Sequence, residues 1–126
     1  MFSLASLNNL VQGVKVSKER EGSKIKWQIR KGEVIIGEAF CKYSQKNVEL
    51  QIIRRVNPQG KGLMSMLLKE ILNDAKKANK DCVIDIKPFS DPHRPFESVS
   101  MARKRVYHWY KSLNFEITND NGIYRN

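Results

Sequence analysis

Residues 47–79, NVELQIIRRVNPQGKGLMSMLLKEILNDAKKAN, constrain the fold more than any other stretch, because three kinds of local structure follow one another there without a spacer. Val48, Leu50 and Ile52 alternate with Glu49 and Gln51, the period of two that a half-buried strand requires, and Asn57-Pro58 then stops the ladder. Gln59-Gly60-Lys61-Gly62 follows at once. From Leu63 the apolar spacing changes to three and four. Leu63, Leu67, Ile71, Ala75 and Ala78 form one stripe, with Met64, Leu68 and Leu72 beside it, so the spacing predicts an amphipathic helix over 63–79. The glycine loop therefore hands the chain from a strand to a helix N-terminus. The first N–H groups of a helix have no partner within it and lie at the positive end of its dipole, and glycines let a ligand come close to them. Such a junction is a ready seat for a phosphate or a pyrophosphate.

Spacing separates the phosphate loops that this junction resembles. The Walker A pattern G-x-x-x-x-G-K-[ST] is excluded, because Lys61 is followed by Gly62 and the first glycine is missing. The dinucleotide pattern G-x-G-x-x-G matches at Gly60 and Gly62, with Asp85 at about the distance of its ribose acid, but Ser65 stands where the third glycine belongs. Two glycines that do no more than make a tight turn are the plain alternative.

The flanking sequence supplies the rest of a small domain. Leu4, Leu7, Leu10 and Val11 fall on one side of a short helix over 3–11. Strands are predicted over 13–19, 24–30 and 34–43, joined by Glu21-Gly22-Ser23 and Lys31-Gly32-Glu33, and the strand over 48–56 follows. Every connection is too short for a crossover, so these strands form an antiparallel meander. Cys82-Val83-Ile84-Asp85-Ile86 reads as a strand buried on both faces. The strand, helix, strand order makes it a parallel neighbour of the 48–56 strand. Residues 87–97 carry three prolines and form an irregular loop, in which Asp91, His93, Arg94 and Phe96 are suited to wall a binding site. Val99, Ala102, Val106, Trp109 and Leu113 then mark a second helix, with Asn114 as its left-handed end. Residues 115–118 and 123–125, joined by Asn119-Asp120-Asn121-Gly122, read as a closing hairpin. The expected fold is of the α+β (mixed α/β) class: one domain over 1–126, a twisted mixed sheet with an antiparallel N-terminal meander, a parallel central strand pair and flanking helices.

With 126 residues and 40% hydrophobic content the chain can bury a core without staples. Cys41 and Cys82, far apart and each in a strand-like run, are expected to be buried free thiols of a reducing compartment, which sets aside disulfide scaffolds and thiolate metal centres. His93 and His108 have no ligand spacing on one face. MFSLASLNNLVQ has neither the basic leader of a signal peptide nor the length of a membrane span, so the reading is a cytoplasmic protein. The 23 Lys and Arg against 13 Asp and Glu give a net charge of +10, which draws polyanions, acidic proteins or nucleic-acid assemblies, or simply keeps the chain soluble.

Two motifs narrow this further. Gln59-Gly60-Lys61-Gly62-Leu63-Met64 resembles the Q/R-x-x-G-x-G/A segment of the GCN5-related N-acetyltransferases (GNAT), departing at Met64, and Tyr110-Lys111-Ser112-Leu113-Asn114-Phe115 is similar to that family's Tyr-x-x-x-Gly-Phe signature, with Asn114 for glycine. The resemblance covers roughly residues 24–126 and implies the acetyltransferase fold and transfer of an acetyl group from acetyl-CoA to a primary amine. It implies that Gln59, Gly60, Lys61, Gly62, Leu63 and Met64 hold the coenzyme pyrophosphate, and that main-chain groups of Ile53, Arg54, Arg55 and Val56 pair with the pantetheine arm. Arg103 stands near a coenzyme-contacting position, where a cation suits a phosphate. Tyr110 corresponds to the tyrosine that protonates the departing thiolate, and Glu49, in Val48-Glu49-Leu50, to a general base, with bulk water as the alternative acceptor of the proton. The acceptor is expected to be an amine on a protein rather than a small molecule. Two other classes stay open: a basic nucleic-acid-binding module, and a fold of this kind that binds coenzyme A without turnover.

Overall fold

The computed structural model describes residues 13–57, 62–86, 94, 96–118 and 121–125. Their elements, in chain order, are β1 (Val14–Glu21), β2 (Lys24–Lys31), β3 (Val34–Tyr43), β4 (Asn47–Arg55), α1 (Leu63–Lys77), β5 (Asp81–Asp85), α2 (Val99–Ser112), β6 (Glu116–Thr118) and β7 (Asn121–Tyr124). The helix expected over 3–11 lies outside the described residues. The strands form one sheet in the order β1-β2-β3-β4-β5-β7-β6. Every pairing is antiparallel except β4 with β5, which the α1 crossover makes parallel. The mixed sheet, the meander and the parallel central pair are thus as the connection lengths require.

One face of the sheet and the inner stripe of α1 make the core. Ile25, Trp27 and Ile29 of β2, Ala39 and Cys41 of β3, Val48 and Leu50 of β4, and Cys82 and Ile84 of β5 are buried together with Leu63, Leu67, Leu68, Ile71, Leu72 and Ala75 of α1. A 15-residue helix is marginal in water on its own, whereas each fully buried Leu or Ile contributes about 1.5–3 kcal/mol. The sheet contact, not helix propensity, therefore holds α1 in place.

Four expectations are corrected here. Phe40 pairs with Ile52 but Cys41 pairs with Leu50, so Gln51 has no counterpart and β4 carries a bulge. The extra residue resets the pleat: Ile53 enters the core, and Ile52, expected inside, is 48% exposed. In β5 only Cys82 and Ile84 are buried, while Val83 is half-buried and Asp85 exposed, so this strand is covered on one face rather than two. Along α2 the buried residues are Ala102, Val106 and Tyr110, and Val99 is exposed, because the helix is turned so that the tyrosine rather than Trp109 points deepest. Asn121 and Gly122 lie inside β7, opposite Asp85 and Ile84, rather than in the turn before it. Asn114 does end α2 in the left-handed region, at φ 70°, and Phe115 N–H closes on the Tyr110 carbonyl at 3.2 Å.

Cys41 and Cys82 are buried free thiols, and burial pushes Cys82 up to about 12, so neither ionises near neutrality. No helix among the described residues is long and apolar enough to cross a membrane.

The outer end of α1 is tied to the sheet through Asp74, which accepts from Lys18 Nζ at 2.7 Å and from the Tyr43 hydroxyl. Partial burial alone would raise this carboxyl, but the bonds from Lys18 and Tyr43 and the charges of Lys18 and Lys77 outweigh it and hold it below the usual carboxylate range. A pKa depressed on folding contributes stability that is present above the unfolded value and lost as pH falls through the folded one. Melting temperature measured from pH 7 down to pH 2 is therefore expected to drop below about pH 4, and Asp74→Asn to flatten that part of the fall. An unchanged acid limb in the variant would remove Asp74 from its causes.

Candidate functional site

The site begins where the sheet comes apart. β4 and β5 pair from Asn47 with Asp81 to Leu50 with Ile84, and there the ladder ends. β4 continues to Arg55, still paired with β3 through Ile53 with Ala39, Arg54 with Glu38 and Arg55 with Gly37. Among the described residues no strand pairs with its other edge beyond Leu50. The Gln51 bulge falls at this point, where an unmatched residue bends and twists the strand that carries it. Beyond Leu50, β4 and β5 are therefore not paired among the described residues.

At the end of β4 the amides of Val56 and Asn57 both donate to the Ile36 carbonyl, at 2.7 and 3.0 Å, which turns the chain out of the sheet. Gln59, Gly60 and Lys61 lie outside the described residues. Gly62 is the N-cap of α1 at φ 85°, ψ −11°, a left-handed conformation that glycine adopts without strain. The first intrahelical bond runs from Met66 N–H to the Gly62 carbonyl at 3.2 Å. The amides of Leu63, Met64 and Ser65 thus have no partner within the helix, Gly62 offers no capping side chain, and the first turn holds no acidic residue. Three bare amides at a positive dipole end are suited to an anion.

Met64, the departure from the expected loop pattern, has its side chain against β3. A Cβ on Gly37 would run into Met64 Sδ and lie 3.2 Å from the Arg54 carbonyl oxygen, so Gly37 leaves the room in which Met64 packs. The side chain that replaces glycine or alanine is thereby drawn toward the sheet, and its amide keeps its place in the helix end.

Tyr110 and Glu49 come to opposite faces of the sheet. Tyr110, 6% exposed, packs with Trp109 (ring centroids 5.0 Å apart) and Phe115 (5.2 Å) on the helix side. Burial first, then the nearby Cys82 and Cys41, raise its phenol well above the ordinary tyrosine value. Glu49 is exposed on the other face and lines an open cavity of about 380 Å³ with Val83, Asp85, Glu116, Thr118 and Asn121. The cavity thus carries three carboxylates in a chain of net charge +10. Glu49 lies within the paired part of β4 and β5, opposite Val83, one residue before the ladder ends.

The remaining candidates are dispersed. Arg54 lies with its guanidinium on Glu38, Nε to Oε1 2.6 Å, and 5.9 Å over the Phe40 ring, on the face away from the helices. Arg103 is exposed on α2, two turns before Tyr110. His108 is exposed and edge-on to Tyr107, and His93 lies outside the described residues, as does Asp91. The motifs gave no sign of Asp85, Glu116 and Thr118 gathering beside Glu49, because that grouping depends on β7 inserting between β5 and β6. Nor did they give the bond from Trp109 Nε1 to Ser65 Oγ, 2.9 Å, which joins the two helices.

No protein-family model and no curated protein matches the sequence. Solved structures do match. A GNAT family acetyltransferase from Elizabethkingia anophelis with acetyl-CoA bound aligns over 86% of this chain and 79% of its own, at 16% identity and TM-score 0.64. The protein YhhK from E. coli bound to coenzyme A aligns over 100% and 93%, at 13% identity and TM-score 0.63. Arabidopsis thaliana Naa50, in complex with the bisubstrate analogue CoA-Ac-MVNAL, aligns over 78% and 68%, at 16% identity and TM-score 0.57.

Proposed function

From the GNAT acetyltransferase fold of this chain as the starting point, we propose that it transfers an acetyl group from acetyl-CoA to a primary amine, and that the amine belongs to a protein. The observation that carries this reading is the edge of β4 from Gln51 to Arg54, with which no strand among the described residues pairs, together with the amides of Leu63, Met64 and Ser65, which have no partner within α1. An extended thioester with a diphosphate at its far end has the shape to use both. The pantetheine arm adds to β4 as a short strand through Gln51–Arg55, and the diphosphate sits on the helix end with Gln59, Gly60, Lys61 and Gly62 around it. The Elizabethkingia protein with acetyl-CoA bound and the E. coli protein bound to coenzyme A support a coenzyme as the ligand of this fold.

The chemistry follows from the two faces. The amine nitrogen attacks the thioester carbonyl carbon, forming the C–N bond and an oxyanion that a β4 amide stabilises. The C–S bond breaks as the oxyanion collapses, and the thiolate leaves toward the helix face, where Tyr110 O–H donates to it. The ammonium first gives one proton, directly or through water, to Glu49, which leaves the neutral amine that attacks. The second proton, shed by the nitrogen as the oxyanion collapses, passes to bulk water. Because burial raises the phenol, Tyr110 stays protonated at neutral pH but is a weaker acid than a thiol of pKa about 8.5, so its work is hydrogen bonding to the growing negative charge rather than outright ionisation. Asp85 beside Glu49 favours a cationic acceptor, drawing it in as ammonium for Glu49 to neutralise, while Glu116 on the same cavity is held by Arg125 Nε at 3.0 Å. The peptide-like analogue of the Arabidopsis protein supports a protein amine, and the net charge of +10 favours approach to an acidic macromolecule.

Cell extract incubated with isotope-labelled acetyl-CoA, with and without the protein, tests this by mass spectrometry. Label on lysine side chains or N-termini that depends on the protein is expected. Consumption of the coenzyme with label only on small amines moves the acceptor to metabolites, and no protein-dependent label rejects transfer. Glu49→Gln is expected to lower kcat roughly tenfold near pH 7, with less effect at high pH where the amine is already neutral. A loss that does not shrink with pH contradicts the base.

A further inference from the structure

We propose that the hydrogen bond between Trp109 and Ser65 is a strut that sets the distance between the helix holding the diphosphate and the phenol facing the sulfur, which makes both of them positioning residues. This rests on the reading above, in which the N-terminus of α1 and Tyr110 serve opposite ends of one coenzyme. Ser65 is the third residue of α1, and its amide is one of the three without an intrahelical partner. Its hydroxyl accepts from Trp109 Nε1 at 2.9 Å across 44 residues of sequence, with both side chains partly buried. Trp109 immediately precedes Tyr110, and their rings lie 5.0 Å apart at 51°.

The register is therefore fixed at the turn that matters on each helix. A serine in the first turn ordinarily turns to water or to its own backbone; here it is committed to a side chain that neighbours the phenol. A half-exposed neutral hydrogen bond contributes little to stability, and the rest of α1 is held by its buried stripe, so the strut is dispensable for folding. Geometry at the reacting atoms is far less forgiving, since a misplacement on the order of 1 Å can slow a reaction up to a hundredfold.

Ser65→Ala, Trp109→Phe and the double variant separate these effects, with Ser65→Thr as the conservative rescue and Tyr110→Phe run beside them. Coenzyme A binding is measured by calorimetry, and kcat and KM by thiol release from acetyl-CoA with a lysine-bearing peptide as acceptor. Each single variant is expected to lower kcat roughly tenfold, with the coenzyme Kd within about twofold of the unaltered protein because the amide of residue 65 remains. The double variant is expected to be no slower than the slower single, as two halves of one bond require. Ser65→Thr restores most of the rate.

Losses in the two singles that add in the double, a weaker coenzyme Kd at unchanged kcat, or Ser65→Thr as slow as Ser65→Ala would each overturn the strut. If Tyr110→Phe is slow while both singles are at full rate, the strut alone is wrong. If the unaltered protein releases no thiol, the transfer reading fails and the strut falls with it.

Discussion

Tyr110→Phe is expected to cut kcat about a hundredfold while leaving the dissociation constant of coenzyme A unchanged within about twofold. The phenol lies on the helix face of the sheet, against Trp109 and Phe115, and its ring fills core volume that phenylalanine fills equally well. On the proposed reading, what the substitution removes is one hydrogen bond to a group that is neutral in the thioester and negative as the C–S bond breaks. Bonds to charged groups contribute about 1.5–3 kcal/mol, and one present only in the transition state appears in kcat rather than in binding. The pH dependence is also fixed. Burial raises this phenol, so the protonated form persists above the ordinary tyrosine range, and the wild-type rate has no falling limb from it near pH 10. Steady-state kinetics from pH 6 to 10 on both proteins measures this. Equal rates would leave the buried tyrosine as core and nothing more, whereas a falling limb near pH 10 in the unaltered protein alone would place the phenol in contact with water.

Gly62→Asp is expected to weaken coenzyme A binding by more than about a hundredfold, and Gly62→Asn by less than about tenfold. Residue 62 is in the left-handed region, at φ 85°, which asparagine and aspartate tolerate best after glycine. Both are also good N-caps, so each is expected to fold, and by capping the helix to offset part of its backbone strain. The pair differs by one charge, placed next to the amides of Leu63, Met64 and Ser65. A carboxylate there both occupies those amides and repels a diphosphate. At a few ångströms and an effective dielectric constant of about 20, repulsion between single charges is about 4 kcal/mol before screening. The difference between the two variants should narrow as salt rises from 50 mM to 500 mM. Calorimetry at the two salt concentrations measures it, and equal affinities would mean the diphosphate sits elsewhere.

Most of the fold was legible because it rests on local signals. The 63–79 stripe, the short polar turns and the return to a strand at Cys82 require a meander, a crossover and a parallel pair, and α1 and the sheet follow them closely. Two of the misreadings share a cause, in that each depends on a partner strand the local pattern does not contain. Ile52 alternates correctly with Leu50, and only the register against β3 reveals that Gln51 is extra. Asn121-Gly122 is a good turn pair by composition, yet pairing with Asp85 and Ile84 makes it strand.

The site divides in the same way. Glu49, Gly62 and Tyr110 could be singled out because each sits at a fixed offset within a motif, and the structure places Glu49 in the open cavity, Gly62 at the α1 N-cap and Tyr110 in the core. Val99 and Trp109 appeared equal members of a stripe, and only packing exposes the first and bonds the second to Ser65. The acidic cavity around Glu49 draws on β4, β5, β6 and β7, segments brought together by topology alone. The unmatched Gln51 turns Ile52 outward, and the β4–β5 ladder ends one residue before it, at Leu50.

The central claim is that one extended ligand uses the split in the sheet and the start of α1 together. Titration of the isotope-labelled protein with coenzyme A, followed through its backbone amide resonances, tests this most directly. The largest shifts are expected at Leu63, Met64 and Ser65 and along Gln51–Arg55, with 3′,5′-ADP reproducing only the first group. Shifts confined to β1 and β2, or to the helix start for both ligands, would contradict it.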